Sequence, residues 1–139
     1  IYRRMHGKGK RIEEIKAKPV IRKQWSYGKK IKNAFNKSAK ENSIESRCIG
    51  DAPHTVFSFK EQNNASDLEI KSLFLQETII RGILITGSNM TCSRHSSDDM
   101  KKAAQAIQES MEVVEKAVSE GKVRQAIEGK VVKQVFRRF

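Results

Sequence analysis

Ser66-Asp67-Leu68-Glu69-Ile70-Lys71-Ser72-Leu73-Phe74-Leu75-Gln76-Glu77-Thr78-Ile79-Ile80-Arg81-Gly82-Ile83-Leu84-Ile85 reads as a capped helix, a glycine stop and a buried strand in succession. Ser66 and Glu69 have capping-box spacing. The serine hydroxyl can accept from the backbone N–H three residues on, while the glutamate reaches back to the N–H of Ser66. Ile70, Leu73, Phe74 and Glu77 share one helical face, apolar except at Glu77. Gly82 supplies the left-handed stop that a Cβ would resist. Ile83-Leu84-Ile85 is apolar on both faces, as expected of a strand covered on both sides. A helix feeding straight into a strand predicts a layered α/β (α+β) domain. Its expected form is two layers, a small antiparallel or mixed sheet covered by amphipathic helices.

Toward the C-terminus, Thr86-Gly87-Ser88-Asn89 reads as a loop, and Met90 to Cys92 as a final short strand. Ser96-Ser97-Asp98-Asp99 caps the longest helix, with two acids at the positive end of its dipole. Met100, Ala103, Ala104, Ile107, Met111, Val114 and Val118 recur at three- and four-residue steps, which places Ile107 and Met111 toward the sheet. Gly121 ends this helix. Val123 to Ile127 starts another, which fades into a Lys130–Phe139 tail that either docks on a neighbouring surface or frays.

Toward the N-terminus, Glu61 to Ala65 is a loop, and Thr55, Phe57 and Phe59 alternate with Val56 and Ser58 as one aromatic-sided strand. Gly50-Asp51-Ala52-Pro53 is a turn by composition. Ser43 to Ile49 begins the sheet, and Lys37 to Asn42 is a polar connection. Before it, an amphipathic helix runs from Pro19 to about Asn36, with Val20, Gln24, Tyr27, Ile31, Ala34 and Phe35 on its apolar side. Lys10 to Ala17 makes a short helix that Pro19 interrupts. Residues 1–10 are a polar linker, 11–120 the domain proper, and 121–139 a C-terminal helix and tail.

The chain has 139 residues and a formal net charge of +12, enough length for one domain with a real core. The charge is uneven: residues 1–40 carry 14 Lys and Arg against 2 acids, and the remainder carries 14 against 14. A solvated helix face and a loose terminus account for that excess, with an acidic or phosphate-bearing partner as the alternative; a basic nucleic-acid-binding protein is the less favoured function because the remainder is balanced. No stretch approaches the ~20 apolar residues of a membrane span, and no apolar signal core follows Ile1. The chain is expected to be cytoplasmic. It lacks an initiator Met, as expected of a fragment or a processed chain.

Little in it suggests chemistry. Cys48 and Cys92 have no CxxC spacing and read as reduced, structural residues. His6, His54 and His95 are far apart and read as solvated, strand-start and loop residues respectively. Asp98 and Asp99 are adjacent rather than opposed, which suits a helix cap better than paired acid and base catalysis. Gly7-Lys8-Gly9-Lys10 lacks the strand, helix and spacing of a phosphate loop. The residues therefore nominate no catalytic, cofactor-binding or metal-binding position.

The order of elements and several short motifs resemble the C-terminal small domain of class III, fold-type I, pyridoxal-phosphate-dependent aminotransferases, the glutamate-1-semialdehyde aminomutase-like branch above all. The resemblance rests on Pro19-Val20, Gln24-Trp25 and Gly28-Lys29-Lys30-Ile31, then on Phe57-Ser58-Phe59. It continues through Phe74-Leu75-Gln76-Glu77 with Arg81-Gly82-Ile83-Leu84-Ile85, and His95-Ser96-Ser97-Asp98-Asp99-Met100, covering about Arg11 to Glu120. It implies a cytoplasmic homodimeric transaminase whose large domain holds pyridoxal phosphate (PLP) through a Schiff-base lysine, an aspartate and a phosphate cradle, all upstream of this part. No lysine here has the Schiff-base context. Asn89-Met90-Thr91-Cys92 holds no arginine where some branches bind the substrate carboxylate, and Arg94 lies too near the cap to match. The implied partners are the large PLP-binding domain and a second copy of the enzyme, with a standalone interaction module as the alternative.

Overall fold

A long apolar face, and not the polar composition of its last residues, sets the length of the first long helix. In a computed structural model, which describes residues 12–13 and 15–133, α1 spans Val20–Glu41. It runs past the expected end at Asn36, and the polar connection expected over Lys37 to Asn42 is its last turn. Ser38 and Ala39 are small enough to bury there, while Lys37 and Glu41 pair across one turn at 3.6 Å on the solvent side. Pro19 stands at the N-cap, preceded by helical residues at 12–13 and 15–17. The expected linker over 1–10, with His6 and Gly7 to Lys10, and the tail end at 134–139 lie outside the described residues.

The strands β1 (Ser46–Asp51), β2 (His54–Phe59) and β3 (Ser88–Met90) form one antiparallel sheet in that order. Pairing of β1 with β2 runs from Ser46 with Phe59 to Asp51 with His54, so only Ala52-Pro53 turns the hairpin, and Gly50 and Asp51 belong to the ladder. On β2, Thr55, Phe57 and Phe59 are buried and the residues between them exposed, as the alternation requires. Gly28 lets α1 cross the hairpin tip at backbone distance, since a Cβ there would overlap the Ala52 carbonyl.

Helix α2 spans Asp67–Ile80, with both arms of the Ser66–Glu69 capping box made. Ile70, Leu73 and Phe74 are fully buried. Gly82 follows with φ +78°, and its N–H donates to the Ile79 carbonyl at 2.9 Å while that of Ile83 donates to Thr78 at 2.9 Å. These two bonds make the left-handed helix stop expected of this glycine. The strand expected next is absent. Ile83-Leu84-Ile85 pairs with no strand among the described residues; Ile85 is 8% exposed and Leu84 78% exposed, so the segment alternates instead of being covered on both sides. The last strand forms two residues earlier than expected, at Ser88–Met90 in place of Met90–Cys92, because Gly87 turns the chain into register with β2.

Helix α3 spans Ser97–Ser119 behind a second complete capping box, Ser96 with Asp99, and Gly121 closes it at φ +66°. Its buried stripe includes Ala106 and Ser110, with Ala104 only half-buried. Ile107 and Met111 are fully buried, but the helix that carries them packs on α1 and α2 and not chiefly on the sheet, because α1 and α2 already cover the sheet's inner side. A short α4 (Val123–Ala126) follows, and the chain beyond it docks on α2. There the Gln76 side chain donates to Ala126 O at 3.0 Å and accepts from Glu128 N–H at 2.9 Å, and Val132 N–H donates to Ser72 Oγ at 2.9 Å. Phe35, Phe57, Phe59 and Phe74 meet at the centre with ring centroids 4.6 to 5.9 Å apart.

Candidate functional site

The two edges of the sheet differ, and the difference is built by α1. On β1, the Cys48 N–H donates to Asn36 Oδ1 at 2.8 Å, and the Asn36 amide donates back to the Cys48 carbonyl at 3.5 Å. One helical turn earlier, Lys32 Nζ donates to the Gly50 carbonyl at 2.8 Å. Side chains of the chain's own helix thus occupy three of the outward backbone groups of that edge, the N–H and C=O of Cys48 and the C=O of Gly50.

The β3 edge is open. Phe57 N–H donates to Gly87 O and Thr91 N–H to Pro53 O, both at 3.1 Å, so the bonded pairs between β2 and β3 fall on alternate residues and include Thr55 with Asn89. The N–H and C=O of Ser88 and Met90 therefore point away from β2, and no described residue bonds to them. Beside this edge lies a groove of about 340 Å³. Its floor is apolar, from Ile31, Ile85, Met100, Ala103 and Ile107, and its rim includes Leu84, Met90, Thr86, Asn89 and His95. Met90 is 71% exposed, as open to solvent as its neighbour Leu84.

Charge near the groove is already committed. Arg81 donates from Nη1 to Glu77 Oε2 at 2.7 Å and from Nε to Glu109 Oε2 at 3.1 Å, tying α2 to α3. The Glu77 hydrogen bond raises the Arg81 pKa, so the guanidinium stays charged. The one acid on the apolar face of α2 is thereby accounted for. Asp99 is held below the usual carboxylate range, chiefly by the Ser96 backbone N–H, and works as a cap. His95 Nδ1 accepts from the Cys92 N–H at 3.3 Å. His54 is an exposed strand-start residue. Cys48 is buried, and burial pushes its thiol pKa up. Cys92 is exposed, contrary to its expected structural role, because it lies in the loop beyond β3 instead of within a strand.

Compared with solved structures, the chain is similar to the PLP internal aldimine form of the FumI protein of Sphingopyxis sp. MTA144. The TM-score is 0.67 at 16% identity, over 77% of this chain and 26% of that one. It is also similar to a transaminase with PLP bound, with a TM-score of 0.64 at 12% identity, over 70% of this chain and 24% of that one. This is the fold of an aminotransferase small domain. The chain spans about a quarter of the length of the structures it matches. No family model and no curated protein matches it.

Among the described residues the groups that PLP needs do not come together. Such a cofactor needs a partly desolvated amine, an acid against its ring nitrogen and a phosphate cradle held together. No described lysine is buried; the most covered are Lys32, whose ammonium is spent on the Gly50 carbonyl, and Lys71, beside Gly87. Neither meets the other two groups. Among the described residues, no three His, Cys, Asp or Glu side chains come together to hold a metal, and no helix is long and apolar enough to cross a membrane. The residues that mark the open edge, Leu84, Ser88 and Met90, carry no signal in sequence: two read as core and one as loop.

Proposed function

We propose that this chain is the C-terminal small-domain portion of a PLP-dependent class III aminotransferase or aminomutase, resembling the glutamate-1-semialdehyde aminomutase-like branch. The parent enzyme moves an amino group between an amino acid or amine and a carbonyl acceptor. This portion supplies a scaffold and takes no chemical step alone. Its partners are the large PLP-binding domain and a second copy of the enzyme, in the cytoplasm. The observation that carries the reading is the fold, matched over 77% of this chain to 26% of a PLP-bearing protein. The ordered motifs from Pro19 to Met100 support it.

Competition tests it. The isolated chain is titrated with PLP, imine absorbance is followed, and reduced adducts are mapped by peptide. Scattered weak labelling of surface lysines without turnover is expected. One saturable adduct on a single lysine, with amino exchange between an amino acid and a keto acid, would overturn the claim that the portion is silent. A standalone interaction module is a second reading, favoured by the four-phenylalanine core, whose rings all come from this chain. A longer continuous reading frame that encodes a PLP-binding lysine sinks it.

A further inference from the structure

We propose that β3 is a receiving edge, onto which an extended segment of the polypeptide continuous with this chain adds as a fourth strand, setting one large apolar side chain into the adjoining groove. The inference rests on the reading above that a larger transaminase surrounds this domain. Its structural grounds are separate from that reading.

Strand addition needs a row of unpaired backbone groups and a pocket for alternate side chains. The β3 edge offers both. Ser88 and Met90 present two N–H and two C=O groups outward, and the chain's own helix closes the opposite edge through Asn36 and Lys32. The groove beside the open edge has a floor of five apolar residues that no described side chain fills. Leu84 and Met90 flank it, nearly as exposed as side chains in an unfolded chain. An added strand would cover both while satisfying the edge.

The occupant follows from length. A second copy of this chain would meet the first over an edge of only three residues, so self-pairing offers few rungs. In contrast, about three quarters of each structural neighbour has no counterpart in this fold. That missing polypeptide is the partner with both the proximity and the extent to supply a strand, at an effective concentration no free peptide reaches.

Amide hydrogen exchange tests this, comparing the chain alone with the longer polypeptide encoded continuously with it. Ser88 and Met90 should exchange at least roughly 100-fold more slowly in the longer polypeptide. Asn89, already bonded to Thr55, serves as the internal control. Met90→Pro removes an N–H that this fold does not use, at an edge position where proline is tolerated. It should leave the isolated chain's unfolding midpoint unchanged yet abolish the added protection of Ser88. If that variant fails to fold alone, Met90→Lys, which keeps the rung and removes the apolar cover, should weaken the protection in part. Equal exchange in the two forms overturns the proposal. So does protection in the isolated chain that grows with its own concentration, which would mean self-pairing. PLP absorbance and amino transfer are measured on the same longer polypeptide. If it is active while Ser88 and Met90 stay unprotected, the receiving edge alone is refuted; if it has no PLP site, the transaminase reading fails and the occupant with it.

Discussion

The inner and outer faces of the sheet come from the same alternation and meet opposite fates. On the inner face Cys48, Thr55, Phe57 and Phe59 are buried beneath α1 and α2. On the outer face Arg47, Ile49 and Asp51 lie opposite Ser58, Val56 and His54, and Met90 extends the row onto β3; all seven are exposed. Ile49 and Val56 would suit a core as well as Phe57 does, yet both are exposed and no described element covers them. Alternation assigns a side chain to a face. Whether that face is covered depends on where the helices go, and both sheet-covering helices go to one side.

The largest contrast between the faces should come from truncating each. Phe57→Ala removes the ring nearest Phe35, at 4.6 Å, and should cost about 3–5 kcal/mol. Its outward neighbour Val56→Ala should cost less than about 1 kcal/mol, since its side chain is already wet. Denaturant midpoints for the pair would show it; equal losses would mean that something covers the outer face in solution.

A smaller effect is expected where the faces meet, at the hairpin tip. Gly28→Ala puts a methyl group where the Ala52 carbonyl lies, so α1 must lift off the tip. The overpacking should cost about 1–3 kcal/mol despite alanine's better helix propensity. A midpoint at or above that of the parent chain would show that the tip moves freely and does not brace the inner face.

The gentlest probe is acid. Glu69 and Asp99 are both held below the usual carboxylate range, first by the backbone N–H and then by the hydroxyl of Ser66 and Ser96 respectively. Because the folded pKa is the lower one, the stabilisation is present above the unfolded value. It is lost as pH falls from about 4 through the folded value. Helix starts, and neither face of the sheet, should therefore loosen first. Replacing Glu69 by Gln and Asp99 by Asn removes the titrating carboxyls and should flatten the acid limb of a stability-against-pH curve, and an unchanged limb would assign acid sensitivity elsewhere.

Local chemistry made much of the fold legible before any coordinates. Both capping boxes, the Gly82 and Gly121 stops and the Thr55-Phe57-Phe59 face depend on neighbours in sequence, so spacing reveals them. Where the reading failed, the deciding contact was distant. Ile83-Leu84-Ile85 has the composition of a covered strand, but its partner would have to come from outside the described chain. The last turn of α1 is polar by composition and helical because Ala39 reaches the core. The helix that carries Ile107 packs mainly on helices because α1 and α2 reach the sheet first. The open edge could not be read at all, since it consists of backbone groups, and nothing in Ser88-Asn89-Met90 says which way they point.

Asn36 and Lys32 do more than tidy one side of the sheet. A sheet with two bare edges can be extended from both ends without limit, and head-to-tail contacts of that kind build fibres. With three of the outward groups of β1 taken by its own helix, this sheet has one readily extended edge. Two copies joined β3 to β3 would therefore present a β1 blocked by its own helix at each end, which favours stopping at a pair over growing a filament.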